Sequence, residues 1–187
     1  MAPQGAYERF WVIDFPDLAG AEAWIGAEMA PPYGRYGYYD YYLARSGLPE
    51  YCVDWAQGME GPTPLPGDPH EVSALDVDAD SVVAVLFERG EKGQVAGEKP
   101  VTEEYVEVMG AFCKEHGLLR LECFKLMAPQ AGWHHVWLAE FPAFESAEAW
   151  IQAEKGPGHG CLSERSFALM RKWAPAYFAG WTYREES

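Results

Sequence analysis

The sequence predicts an α+β fold built from three strand–helix–strand units in tandem, and three observations carry that prediction. Residues 7–56 and 133–182 align without a gap at an offset of 126, with 17 of 50 pairs identical. A self-similar unit this long is one supersecondary element used twice. Between the copies, residues 82–127 run through the same order of apolar run, capped amphipathic run and apolar run. Proline and glycine punctuate each unit where an element has to stop.

Each copy of the repeat begins with a predicted strand, Tyr7–Phe15 or Trp133–Phe141, closed by Pro16 or Pro142. A helix follows around Ala21-Glu22-Ala23-Trp24-Ile25 or Ala147-Glu148-Ala149-Trp150-Ile151. Ser146 is the predicted N-cap in the second copy, with Glu148 in the first turn. Trp24, Ile25 and Glu28 fall at helical spacing, as do Trp150, Ile151 and Glu154. Pro31-Pro32-Tyr33-Gly34 and Gly156-Pro157-Gly158-His159-Gly160 break the helix. Helical pattern resumes over 36–45 and 162–173, and Pro49 or Pro175 ends it. The predicted last strand is 50–56 or 176–182.

In the central unit Val82–Glu88 is a predicted strand. Thr102 caps a helix with Glu103 and Glu104 in its first turn and Lys114 and His116 in its last, ending at Gly117. Leu119–Met127 is the next strand. The boundaries follow: 1–56 is an N-terminal repeat unit, 57–80 a proline-rich and acidic linker, and 81–187 a βαββαβ domain. Strands joined by a helical crossover run parallel, and two such units in a row give the split-βαβ, ferredoxin-like arrangement.

Bulk composition excludes several functions. A net charge of −15 and a pI near 4.6 argue against nucleic acid and against anionic membrane surfaces as partners. No apolar run is long enough to span a bilayer, and residues 1–20 lack a signal-peptide pattern. The four cysteines show no metal-ligand spacing, so no metal site is expected. These features predict a soluble, cytoplasmic protein with reduced thiols. No GxGxxG, P-loop or GxSxG motif occurs, which disfavours nucleotide-dependent chemistry and serine hydrolysis. The 8 Trp, 11 Tyr and 9 Phe fill a core and also suit a cavity for flat organic ligands.

Strand alternation sorts the candidate residues. His135, Trp137, Ala139 and Phe141 share one face, matched by Arg9, Trp11, Ile13 and Phe15, and the repeated aromatics suggest that this face packs on helices. His134, Val136, Leu138 and Glu140 share the other, matched by Glu8, Phe10, Val12 and Asp14. Glu140 and Asp14 are candidate acid/base groups, because a carboxylate on an apolar wall has a raised pKa. His134 is a third candidate, and its neighbour His135 points to the opposite side. His159 is the fourth, set in a glycine-rich helix break where Tyr33 stands in the first copy. Tyr33, Tyr38, Tyr42, His135 and Trp137 form the candidate ligand-binding set, with phenols able to hydrogen-bond an oxygenated ligand.

The strand Val-Trp-Leu-Ala-Glu-Phe-Pro at 136–142, followed by Ser-Ala-Glu-Ala-Trp-Ile-Gln-Ala-Glu at 146–154, resembles the dimeric α/β-barrel superfamily. The resemblance covers 82–182 as a full domain and 7–56 as an extra half. It implies two ferredoxin-like sheets closing into a barrel, either within the chain or across a homodimer. It also implies an enzyme acting on a small organic substrate without a cofactor: an oxygenase, cyclase, isomerase, lyase or dehydratase. A haem-binding variant would use His134, His135 or His159 as axial ligand. The alternative is a non-catalytic module that holds a hydrophobic ligand or serves assembly.

Overall fold

The structure, a computed structural model, describes residues 9–32, 34, 39–56, 80–90, 102–130, 132–155 and 163–172. Their element order is α1 (Leu18–Met29), β1 (Ala44–Ser46), a 3-10 turn (Glu50–Cys52), β2 (Val82–Gly90), α2 (Glu103–Glu115), β3 (Arg120–Gln130), β4 (Trp133–Phe141), α3 (Phe144–Lys155) and β5 (Ser163–Arg171). The five strands form one sheet in the order β1-β3-β4-β2-β5, with every neighbouring pair antiparallel. The fold is α+β.

Local sequence explains where the helices start and stop. Asp17 caps α1, its Oδ1 accepting from the Gly20 amide at 2.7 Å. Thr102 caps α2 as its sequence predicts, with Oγ1 accepting from the Tyr105 amide at 3.2 Å. At the far end of α2, Gly117 takes the left-handed conformation (φ 67°), and the Leu118 amide reaches back to the Cys113 carbonyl at 2.8 Å. α3 starts at Phe144, so Ser146 lies inside its first turn rather than at the cap.

The strands interleave rather than pairing within a unit. β4 is antiparallel to both β3 and β2, so β2 and β3 run parallel with β4 between them. β2 likewise separates the parallel pair β4 and β5. One sheet face meets α2, α3 and the 3-10 turn through Val82, Ala84, Leu86, Met109, Cys113, Ala139, Phe141, Ala147, Trp150 and Ile151. Trp55 lies so close to α2 that a Cβ on Gly110 would stand 2.9 Å from its Nε1. The second face carries Val83, Val85, Phe124, Leu126, Val136 and Leu138, with Phe10, Tyr42, Phe87, Trp133 and Met170 packed against them. On β4 the two clusters follow the alternation read from the sequence.

The repeat survives in part. α1 and α3 occupy the same positions of the two copies, since 18–29 plus 126 gives 144–155. By the same offset β1 corresponds to 170–172, which overlaps the end of β5 at 170–171, and the two strands take opposite edges of the sheet. The first copy is otherwise not a strand–helix–strand unit. Residues 9–15, within the predicted strand 7–15, form no regular element. Their counterpart β4 is a strand flanked by β2 and β3, whereas 9–15 belongs to none of the five paired strands. Within predicted helix 36–45, residues 39–43 have no regular element and 44–45 begin β1. Within predicted strand 50–56, residues 50–52 are a 3-10 turn.

The second helical pattern, 162–173, is also corrected: it holds strand β5. Its Glu, Arg, Ala, Leu and Met favour helix locally, but pairing along all of β2 overrides that preference. The predicted strand 176–182, the body of linker 57–80 and the break around His159 lie outside the described residues.

Candidate functional site

Two polar clusters are built into the sheet, one on each face. On the helix side, one register row crosses all five strands as Arg45, Lys125, His135, Glu88 and Arg165. Arg165 is the hub. Its Nη1 donates to the Glu154 backbone carbonyl at 2.7 Å and to Glu154 Oε2, and its Nη2 donates to Glu88 Oε1 at 3.3 Å. Glu88 Oε2 accepts from Trp137 Nε1 at 3.1 Å, and Glu154 Oε1 accepts from the Tyr105 hydroxyl at 3.5 Å.

Burial dominates the electrostatics of this cluster. It raises the pKa of Glu154 against the opposing pull of Arg165. It raises Tyr51 and Tyr105, and it pushes Cys52 and Cys113 up to about 12 and Cys123 further still. These thiols form no disulfides and stay protonated, so they pack as small groups in the core. Burial also lowers His135, with Glu88 pulling the other way and His134 and Lys125 adding to the fall. α3 is thereby fastened to the sheet through an arginine bonded at both Nη atoms.

The second face carries a different cluster at its other end. Glu140 and Lys172 are 3% and 1% exposed, and Lys172 Nζ donates to Glu140 Oε1 at 2.7 Å. The buried Ser81 hydroxyl donates to the same oxygen at 2.6 Å. Arg120 stands opposite Glu140 in the β3–β4 register, so both side chains project on this face. Its Nε donates to Glu122 Oε1 at 3.1 Å. Its Nη1 is buried and has no hydrogen-bond partner among the described residues. Along the strands the face then turns apolar through Leu138, Val85 and Phe124, and reaches an aromatic group of Phe10, Tyr42, Phe87 and Trp133.

The predicted site residues separate accordingly. Glu140 and His134 share the second face, His134 at the opposite end of β4. Tyr42 is in that face's aromatic group, its ring centroid 5.6 Å from that of Phe87. His135 and Trp137 belong to the helix side. Asp14 is exposed on the irregular segment 9–15 and does not reproduce the setting of Glu140. His159, Tyr33 and Tyr38 lie outside the described residues. Among the described residues no group of three or more His, Cys, Asp or Glu side chains is placed to hold a metal ion. A haem on the second face would find one described imidazole there, that of His134.

Sequence reasoning did not single out Ser81, Arg120, Glu122, Lys172 or the pair Glu154 and Arg165 as site residues. Arg120 and Glu122 carried a usable signal, since opposite charges two apart on a strand share a face. Glu154 also carried one, as an acid on the apolar stripe of a helix with Trp150 and Ile151. Ser81 and Lys172 meet Glu140 only through long-range pairing, which no local pattern announces. Comparison with protein-family models, with curated proteins and with solved structures gives no match.

Proposed function

We propose that this chain is a small-molecule enzyme of the ferredoxin-like, dimeric α/β-barrel type that moves protons on an organic substrate at the second face of its sheet. The element order β2-α2-β3-β4-α3-β5 and the strand order β3-β4-β2-β5 support the ferredoxin-like part. The observation that carries the catalytic part is the buried Glu140–Lys172 pair with Ser81 on the same oxygen. A carboxylate and an ammonium in contact form a neutral unit. One member can take a proton from a substrate while the other returns one, with no net charge created in a dry site. Ser81 holds the carboxylate orientation through this exchange. Such chemistry fits an isomerase, lyase or dehydratase.

The homodimer belongs to the same proposal. Residues 9–15 are the counterpart of β4, and their Trp11, Val12 and Ile13 are exposed. A strand-like apolar segment of this kind suits pairing with a second copy. Sedimentation equilibrium on the purified chain checks it.

The enzymatic reading is tested by incubating the protein with a panel of aromatic and oxygenated organic compounds in D2O and following C–H exchange by NMR. Exchange lost in Glu140→Gln and reduced in Ser81→Ala, with circular dichroism unchanged, supports it. Exchange indifferent to both substitutions overturns it.

A further inference from the structure

We infer that Arg120 is the anchor for a carboxylate of the substrate, so that the second face takes an organic monoanion with an apolar body. The inference rests on the proposed use of this face as a ligand site and adds the ligand's charge and its fixing point. Three observations meet here. Arg120 Nη1 is buried with no hydrogen-bond partner among the described residues, while the side chain as a whole is 12% exposed. A buried charged donor left empty is expensive, and an arriving oxygen acceptor removes that cost. The guanidinium is held in place from behind, since Glu122 takes its Nε and leaves Nη1 for another group. The fork geometry of that end matches a carboxylate.

The neighbouring carboxylate does not fill the vacancy. Glu140 stands across from Arg120 but turns its Oε1 to Lys172 and Ser81. A carboxylate seated on Arg120 therefore lies beside the proposed proton-transfer pair, where a substrate has to be. Leu138, Val85 and Phe124 continue the same face away from the charges and are buried, so the apolar body of such a molecule reaches them by displacing what covers them. Two strand positions beyond Leu138, roughly 13 Å along the strand from Glu140, begin the aromatic side chains. The face is thus graded from cationic anchor to apolar wall, as an amphipathic acid requires.

Arg165 provides the internal contrast. Its Nη1 and Nη2 donate to Glu154 and Glu88, so it offers no seat of this kind.

The test uses benzoate as the probe and benzamide as its neutral counterpart, read by saturation-transfer NMR and tryptophan fluorescence on the full chain. Benzoate is expected to bind, and benzamide to bind roughly ten- to a hundredfold more weakly, the range set by one charge-assisted hydrogen-bonded pair. Arg120→Gln should lose benzoate by the same factor and leave benzamide unchanged. Arg120→Lys should recover part of the affinity. Equal binding of benzoate to wild type and Arg120→Gln overturns the anchor while leaving a ligand site on the face. Binding of neither probe to wild type overturns the anchor, and C–H exchange on the wider compound panel then decides separately whether the face is catalytic.

Discussion

Arg165 and Arg120 sit on opposite faces of one sheet at equal exposure, 12% each, and differ in how their donors are used. Arg165 is bonded at both Nη atoms to two acidic side chains and a backbone carbonyl. Arg120 is bonded through Nε and carries a buried Nη1 with no partner among the described residues. Burial alone therefore does not separate a fastening from a site. A saturated network rigidifies the element it ties down, whereas a half-filled one stores an unmet demand that folding itself does not satisfy. Glu154 brings α3 into the first network, and none of the three helices supplies a named group to the second.

The largest expected effect comes from breaking the saturated side. Arg165→Met leaves the buried Glu154 and the half-buried Glu88 without their counter-charge, and should cost about 3–5 kcal/mol of stability in urea unfolding. A loss under about 1 kcal/mol, the level of an ordinary surface change, would show that Arg165 does not fasten α3. Packing on the same side gives the next effect. Gly110→Ala puts a methyl group 2.9 Å from Trp55 Nε1, and the indole must shift off α2. About 1–3 kcal/mol should be lost, as for other overpacked cores. Full stability with an unchanged Trp55 environment by fluorescence contradicts the close contact.

These two predictions rest on features of unequal legibility. The helices, their order and the alternation on β4 could be read because capping residues, periodicity and repeated Trp and Phe are local signals. Thr102, Gly117 and the Ala-Glu-Ala-Trp-Ile core each speak for their own element. β5 could not be read, because Phe167, Ala168, Leu169 and Met170 fit a helix equally well and only β2 decides. Segment 9–15 has the same difficulty in reverse, since its strand-like sequence lacks strand partners in the described chain. Glu140 was legible as an acid on an apolar wall. Its partners Lys172 and Ser81 were not, being 32 and 59 residues away.

The pH response sharpens the contrast, because the helix side titrates abnormally. Glu154 is raised above its ordinary 4.5, so the folded chain holds that proton more tightly than the unfolded chain does. Its contribution to stability is complete below 4.5 and fades as pH rises through the raised value. His135 is lowered from 6.5, so its contribution is complete above 6.5 and is lost as pH falls through the folded value. Urea titrations over a pH series should show both slopes. His135→Asn should remove the acid-side loss, and Glu154→Gln the fall on the other side, whatever each does to absolute stability. Unchanged slopes in both variants would place the titrating groups elsewhere.

The smallest expected effect is the most diagnostic. Arg120→Met keeps most of the stem and removes a guanidinium whose Nη1 is unpaired among the described residues. Two consequences oppose each other. The contact with Glu122, a part-buried hydrogen bond between charged groups, is lost, which costs about 1.5–3 kcal/mol. The desolvation penalty of an unmet buried donor, about 1–3 kcal/mol, is relieved. The net change should lie within about 1 kcal/mol of zero and can be stabilising. The same variant should lose benzoate binding, so stability and binding part company at Arg120 where at Arg165 stability alone falls. A loss of about 3–5 kcal/mol in Arg120→Met, equal to that of a broken buried pair, would make the two arginines alike and remove the asymmetry from which the ligand site is argued.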